Sequence, residues 1–265
     1  MAINELLAYM KFIGDGTIQR AQLRHRLDLV EAFGIKAGMR VLEIGCGQGD
    51  TTVALASAVG KEGHITAIDI ASADYGAPIT LGEATETILE SKIGDRITFY
   101  LNTDFLNYPE EQFDVVVLSH CSWYFHSPEQ LQLYFEKIGH IAKRICIAEW
   151  DVSKIAPEQN AHYSAVQLLA LHSEFVENDG NIQHVFAKSQ LKKMLQTVGW
   201  KTVHTRTVDA HYLQDGQWEV EYAKSIREAF DITSTRIQAF TNTLYEQMEG
   251  EQVQSLNSVV LIGSK

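Results

Sequence analysis

The segment Val41-Leu42-Glu43-Ile44-Gly45-Cys46-Gly47-Gln48-Gly49 constrains this chain more than any other. An apolar run that ends in glycines at alternate positions and continues into Asp50-Thr51-Thr52 predicts a strand turning at once into a helix. A side chain at the glycine positions would obstruct either the turn or a ligand brought against bare backbone. Such a turn belongs to a mostly parallel sheet with helical crossovers, and the rest of the pattern agrees. Strands are predicted at Arg40 to Ile44, His64 to Ile70, Arg96 to Leu101, Phe113 to Leu118 and Arg144 to Glu149, each too continuously apolar to be half solvated. Between them Thr52 to Val59, Thr80 to Ile93 and Pro128 to Ala142 read as helices, the last with Ser127 as cap and Pro128 at its first position. This is a doubly wound α/β sheet with helices on both faces.

Downstream, Leu191, Met194, Leu195 and Val198 keep helical spacing, with Ser189 placed to cap the helix and Gly199 to end it. Strands follow near Thr202 to Val208 and Ser258 to Ile262. Three stretches fall outside the alternation: 1 to 33, an amino-terminal helical cap, and helical insertions at 153 to 187 and 210 to 252. Ligands in open α/β sheets bind beyond the carboxyl ends of the strands, so the insertions are expected to cover the substrate site of one domain spanning 1 to 265.

The second predicted strand carries Asp69, about twenty residues past the glycine turn, where a carboxylate accepts hydrogen bonds from both ribose hydroxyls of an adenosine. The cofactor is decided by finer features. A dinucleotide fingerprint, GxGxxG, would place its third glycine where this chain has Asp50, and a carboxylate at a helix start repels a pyrophosphate. S-adenosylmethionine has no phosphate and carries cationic ammonium and sulfonium groups, which tolerate Glu43 and Asp50 nearby.

These residues resemble the first motif of the class I S-adenosylmethionine-dependent methyltransferases, here Gly38 through Gly49. Further matches occur in order: Ile68-Asp69-Ile70 for the ribose, Asn102-Thr103-Asp104-Phe105 for the adenine, and Phe113 to His120 for the fourth strand and the loop beside the methyl group. The resemblance implies a seven-stranded sheet whose last strand is antiparallel and lies between the fifth and sixth. It also implies cofactor contacts from Glu43, Gly45, Cys46, Gly47, Gly49, Asp69, Ile70, Asp104, Phe105, Ser119 and His120.

In methyl transfer a nucleophile displaces an already activated carbon, so positioning matters more than strong acid–base chemistry. The loop Ser119 to His126 should border both donor and acceptor. His120 is the first candidate for a general base, with Tyr124 and His126 behind it, although His120 can equally serve only to hydrogen-bond cofactor or chain. Trp123, Tyr124, Glu149 and Asp151 are candidates for holding the acceptor. Arg24 and His25 would face the cofactor carboxylate or an acidic acceptor if the amino-terminal helices fold over the site, a solvated helix face being the plainer account.

Composition narrows the partners. The net charge of −12, from 34 acidic and 22 basic residues, opposes a nucleic acid, whose affinity rests on Lys and Arg. No apolar run approaches the ~18 residues of a membrane span, and the amino terminus lacks the pattern of a secretion signal, giving a cytoplasmic expectation. Cys46, Cys121 and Cys146 are too scattered for a zinc site or disulfide framework, and no metal is expected. A small-molecule acceptor with an oxygen, nitrogen or carbon nucleophile remains. The rival readings are a nicotinamide-dependent oxidoreductase and an S-adenosylmethionine-binding protein without transfer activity.

Overall fold

A computed structural model describes residues 2–153, 155–178, 180–249 and 253–265. Two helices come first, α1 (Ile3–Leu7) and α2 (Thr17–Phe33), followed by β1 (Arg40–Ile44), α3 (Asp50–Val59), β2 (His64–Ile68), α4 (Leu81–Leu89), β3 (Ile97–Tyr100) and β4 (Val115–Ser119). Then come α5 (Pro128–Ile141), β5 (Arg144–Trp150), α6 (Asn160–Ser173), α7 (Lys188–Thr197), β6 (Thr202–Val208), α8 (Asp215–Ser225), α9 (Thr235–Gln247) and β7 (Ser258–Ser264). The strands form one sheet in the order β3-β2-β1-β4-β5-β7-β6, and β7 runs antiparallel to both neighbours. The expected doubly wound seven-stranded sheet is present, with the last strand between the fifth and sixth.

The apolar strands are explained by burial on both faces. In β4, Val115 and Val117 pack with α2 and α3 residues such as Phe33 and Leu55, whereas Val116 and Leu118 pack with Phe135 and Ile138 of α5. Successive side chains of a strand point to opposite faces, so a strand covered on both sides is apolar throughout. Helices α6, α8 and α9, from the two insertions, join the α5 side of the core through Val166, Val220 and Leu244. Insertion residues 154, 179 and 250–252 lie outside the described set.

Local chemistry sets the helix starts. Ser127 Oγ accepts the Gln130 N–H at 3.2 Å and Pro128 opens α5, as its sequence indicates. Ser189 does not cap α7: the helix begins at Lys188, and the Gln190 side chain accepts the Ala187 N–H at 2.9 Å instead. The β3 segment is shorter than predicted because a 3-10 turn occupies Gly94–Arg96.

The β1–α3 turn depends on glycine at two points. Gly45 has φ +74°, and a Cβ there would stand 2.6 Å from Cys121 Cβ; Gly49 has φ +89°, and a Cβ there would meet Ile88 at 2.5 Å. Glu43 braces the same junction from below. It is buried, Thr52 Oγ1 of α3 donates to its Oε2 at 2.6 Å, and burial pushes its pKa up to about 8 against the opposing Thr52 hydrogen bond. A carboxyl group raised from about 4.5 to about 8 by folding contributes stability that is complete below 4.5 and lost as pH rises through 8. Melting temperature is therefore expected to fall between pH 5 and 8.5, and Glu43→Gln to fall less steeply. Parallel slopes for the two proteins would show that Glu43 is ionised in the fold.

Candidate active site

Parallel β1, β2 and β4 end at one edge of the sheet, and a cavity of about 560 Å³ opens there. Its floor is the glycine turn. Gly47 has φ +51° and open space where a side chain would project, so bare backbone faces the cavity. Asp69, just past β2, closes the turn: its Oδ2 accepts the Gly47 N–H at 2.8 Å and its Oδ1 the Ala71 N–H at 2.9 Å. Each carboxylate oxygen keeps acceptor capacity for a further donor. Beyond Asp69 the wall continues through exposed Ile70, Tyr75 and Ala77, and through Thr103 and buried Phe105.

Asp104 lies one step behind that wall. Its Oδ1 accepts the Leu106 N–H at 2.9 Å and the Tyr134 O–H at 2.7 Å, which sets the two cavity-lining rings Phe105 and Tyr134. Of the expected cofactor residues, Gly45, Cys46, Gly47, Asp69, Ile70, Phe105, Ser119 and His120 line the cavity. Glu43, Gly49 and Asp104 do not; they shape the turn and its neighbours. Cys46 and Cys121 are buried thiols whose pKa burial raises well above the ordinary range, which leaves them protonated and poor nucleophiles.

Helix α2 also reaches the cavity. Arg26 lines the cavity, and its Nη1 is buried with no hydrogen-bond partner among the described residues. It lies close enough to Asp50 and Glu43 to draw both their pKa values down against the larger effect of burial. Asp50, in the first turn of α3, also lines the cavity and accepts the Gln19 Nε2–H at 2.9 Å. Arg24, one of the two expected contacts from this helix, instead faces solvent in an i,i+4 pair with Asp28. His25 is fully buried outside the cavity lining.

The loop after β4 divides. Ser119, His120, Tyr124 and Phe125 reach the cavity. His126 is exposed and outside the lining, and Trp123 is buried in the core with its indole N–H donated to the Phe186 carbonyl at 3.4 Å. Glu149 and Asp151 also turn away from the cavity. Glu149 Oε2 accepts from the Ser122 amide at 3.2 Å and hydroxyl at 2.6 Å, fixing the loop, while Asp151 pairs with Lys188 Nζ at 3.0 Å. Both carboxylates sit at the edge where ligands bind, but the protein itself supplies their donors. Among the described residues, the lining includes residues of α2, the β2–α4 loop and α5, and none from the 153–187 or 210–252 segments.

A sequence profile described as a methyltransferase domain matches residues 17–205, and the chain belongs to that family. It is similar to the methyltransferase phomM of Diaporthe leptostromiformis, with 31% identity over 163 residues, which are 52% of this chain and 42% of that protein. The chain thus spans less than half the length of that fungal relative. A ubiquinone/menaquinone biosynthesis C-methyltransferase of Vibrio vulnificus is 24% identical over 202 residues, covering 72% of this chain and 74% of the other. Among solved structures, a cyclopropane-fatty-acyl-phospholipid synthase-like protein of Lactobacillus casei superposes with a TM-score of 0.91 and 33% identity, covering 99% and 98% of the two chains.

S-adenosylmethionine fits the residues present: open glycine backbone, spare acceptor capacity on Asp69 of the kind ribose hydroxyls need, an aromatic wall, acidic groups tolerant of a cation, and an Arg26 Nη1 that has no partner among the described residues. Two substitutions should separate its two ends. Asp69→Ala is expected to weaken S-adenosylhomocysteine and methylthioadenosine alike by tenfold or more, since a hydrogen bond to a charged group is worth about 1.5–3 kcal/mol. Arg26→Gln is expected to weaken S-adenosylhomocysteine similarly and leave methylthioadenosine, which lacks the amino-acid end, within about threefold. Calorimetry showing equal losses for both ligands in Arg26→Gln would move the carboxylate elsewhere.

Proposed function

We propose that this protein is an S-adenosylmethionine-dependent methyltransferase acting on a small-molecule acceptor. The observation that carries the reading is one cavity lined both by Asp69 bonded to the bare Gly47 backbone and by Arg26, whose buried Nη1 has no hydrogen-bond partner among the described residues. Asp50 in the first turn of α3 supports it against a dinucleotide, because a carboxylate stands where a pyrophosphate would need the positive end of the helix. Relatives named for methyl transfer to carbon and to nitrogen support the reaction class.

When bound, S-adenosylmethionine supplies a methyl group on a positive sulfonium, ready for in-line displacement. Asp69 would accept the ribose hydroxyls, Ile70 and Phe105 would flank the adenine, and Arg26 would hold the carboxylate. Ser119 and His120 then border the methyl end, and Tyr124, with Phe125 and Tyr75, forms an aromatic rim suited to a small acceptor. Tyr124 is half exposed and brings a hydroxyl to that rim, which makes it the acceptor-binding residue of this loop. Alignment supplies much of the rate, because fixing two reactants in near-attack geometry replaces an encounter in solution.

Incubation with methyl-labelled S-adenosylmethionine and fractionated small metabolites is expected to move label into a small-molecule product, and Tyr124→Ala to lower the rate at unchanged donor affinity. Tight donor binding with no label leaving it for any fraction would favour a binding protein without transfer activity.

A further inference from the structure

Behind the cavity wall, side chains from four distant parts of the sequence meet in one buried chain. His25 of α2 is completely buried, with Nε2 2.9 Å from Ser258 Oγ at the start of β7. The same hydroxyl lies 3.0 Å from Nε2 of His120. Nδ1 of His120 is enclosed, without a hydrogen bond, 3.5 Å from Oε1 of buried Glu149. The His120 ring packs against Trp150 at 4.3 Å, and its backbone has φ +51°, a left-handed conformation uncommon outside glycine.

Both nitrogens of His120 therefore face protein. Proton counting allows two opposite directions, and the Glu149 carboxylate beside Nδ1 selects one. Glu149 accepts from the Ser122 amide and hydroxyl and from the Trp150 amide, so it presents a carboxylate to Nδ1 and favours a proton there. Nε2 is then bare and accepts the single Ser258 proton. The Ser258 oxygen, with its one O–H donated to His120, accepts in turn from His25 Nε2–H. His25 can serve only as an uncharged ring: burial, with Arg26 and His120 beside it, pushes its pKa down to about 2 against the opposing effect of the Asp209 backbone, with which Nδ1 makes no hydrogen bond. The other titratable or charged groups nearby are Arg26 on the cavity wall and, beyond Trp150, the buried His162–Glu219 pair of α6 and α8.

We propose that His25 and Ser258 are positioning residues that, with Glu149, lock His120 into the Nδ1–H form and hold its ring as a wall of the methyl-transfer site, so that His120 orients the site and does not take up the acceptor's proton. This rests on the methyltransferase reading for the meaning of the site, while the chain itself is independent of it. The lock also accounts for the left-handed backbone at His120, since such strain persists only where surrounding contacts impose it.

The test is long-range ¹H–¹⁵N NMR of the histidine-labelled protein, free and saturated with S-adenosylhomocysteine. Expected are a single Nδ1–H form for His120 and a single Nε2–H form for His25. Ser258→Ala should convert His120 to a mixture of forms and speed exchange of its ring proton by tenfold or more, with S-adenosylhomocysteine affinity kept within about threefold. His25→Leu should behave like Ser258→Ala. His25→Gln, which keeps an N–H donor for Ser258, should restore the single form, and this pair serves equally if Ser258→Ala does not fold. A wild-type His120 protonated at Nε2, an unchanged spectrum in Ser258→Ala, or equal loss in His25→Leu and His25→Gln would each overturn the lock. Failure of S-adenosylhomocysteine to bind would overturn the cofactor reading and leave the free-protein spectra to decide the chain.

Discussion

The hydrogen bonds that Asp69 accepts from the Gly47 and Ala71 amides are what the rest of the site depends on. They tie the end of β2 to the turn between β1 and α3, so the two strands that supply the cavity floor hold one geometry. The Gly45 N–H, donated to the Ile68 carbonyl at 2.8 Å, adds a second tie at the same level. With the turn fixed, the first turn of α3 delivers Asp50 and Thr51 to the cavity, and Cys121 packs where only a glycine at 45 leaves room. One carboxylate thus builds the turn and keeps lone pairs free on the cavity lining.

The amino-terminal helix completes the site from the other side. Within α2, Gln19 reaches Asp50, Arg26 lines the cavity and His25 reaches Ser258 at the start of β7. Because β7 is antiparallel to β5, its first residue pairs with Trp150 at the carboxyl end of β5, which brings Ser258 to the ligand edge of the sheet. The antiparallel last strand therefore has a chemical consequence: it supplies the hydroxyl between His25 and His120.

Much of the fold was legible in the sequence because its signals are local. Apolar runs, the Ser127-Pro128 start and the glycine turn each act within a few residues, and so does the placement of Asp69 after β2. The site was less legible where side chains compete for partners across the fold. Glu149 stands at the ligand edge, as expected, yet Ser122 and Trp150 occupy it; Trp123 belongs to the core; and Asp104 acts through Tyr134 and Phe105. Arg26 was missed in favour of Arg24, two residues away and on the opposite face of α2. Its spacing from buried Leu23, Leu29 and Val30 puts Arg26 on the inward stripe, a helical signal that charge alone conceals. Among the described residues of the 153–187 and 210–252 segments, α6, α8 and α9 pack against the α5 side of the core, while α2 and the β2–α4 loop line the cavity.

The central claim is that the cleft over the Gly47–Asp69 bond is built for S-adenosylmethionine. Calorimetric titration of the purified protein with S-adenosylhomocysteine, NAD and NADP tests it most directly. The account requires one-site binding of S-adenosylhomocysteine, which either nicotinamide cofactor fails to displace. Binding of NAD or NADP in its place would contradict it.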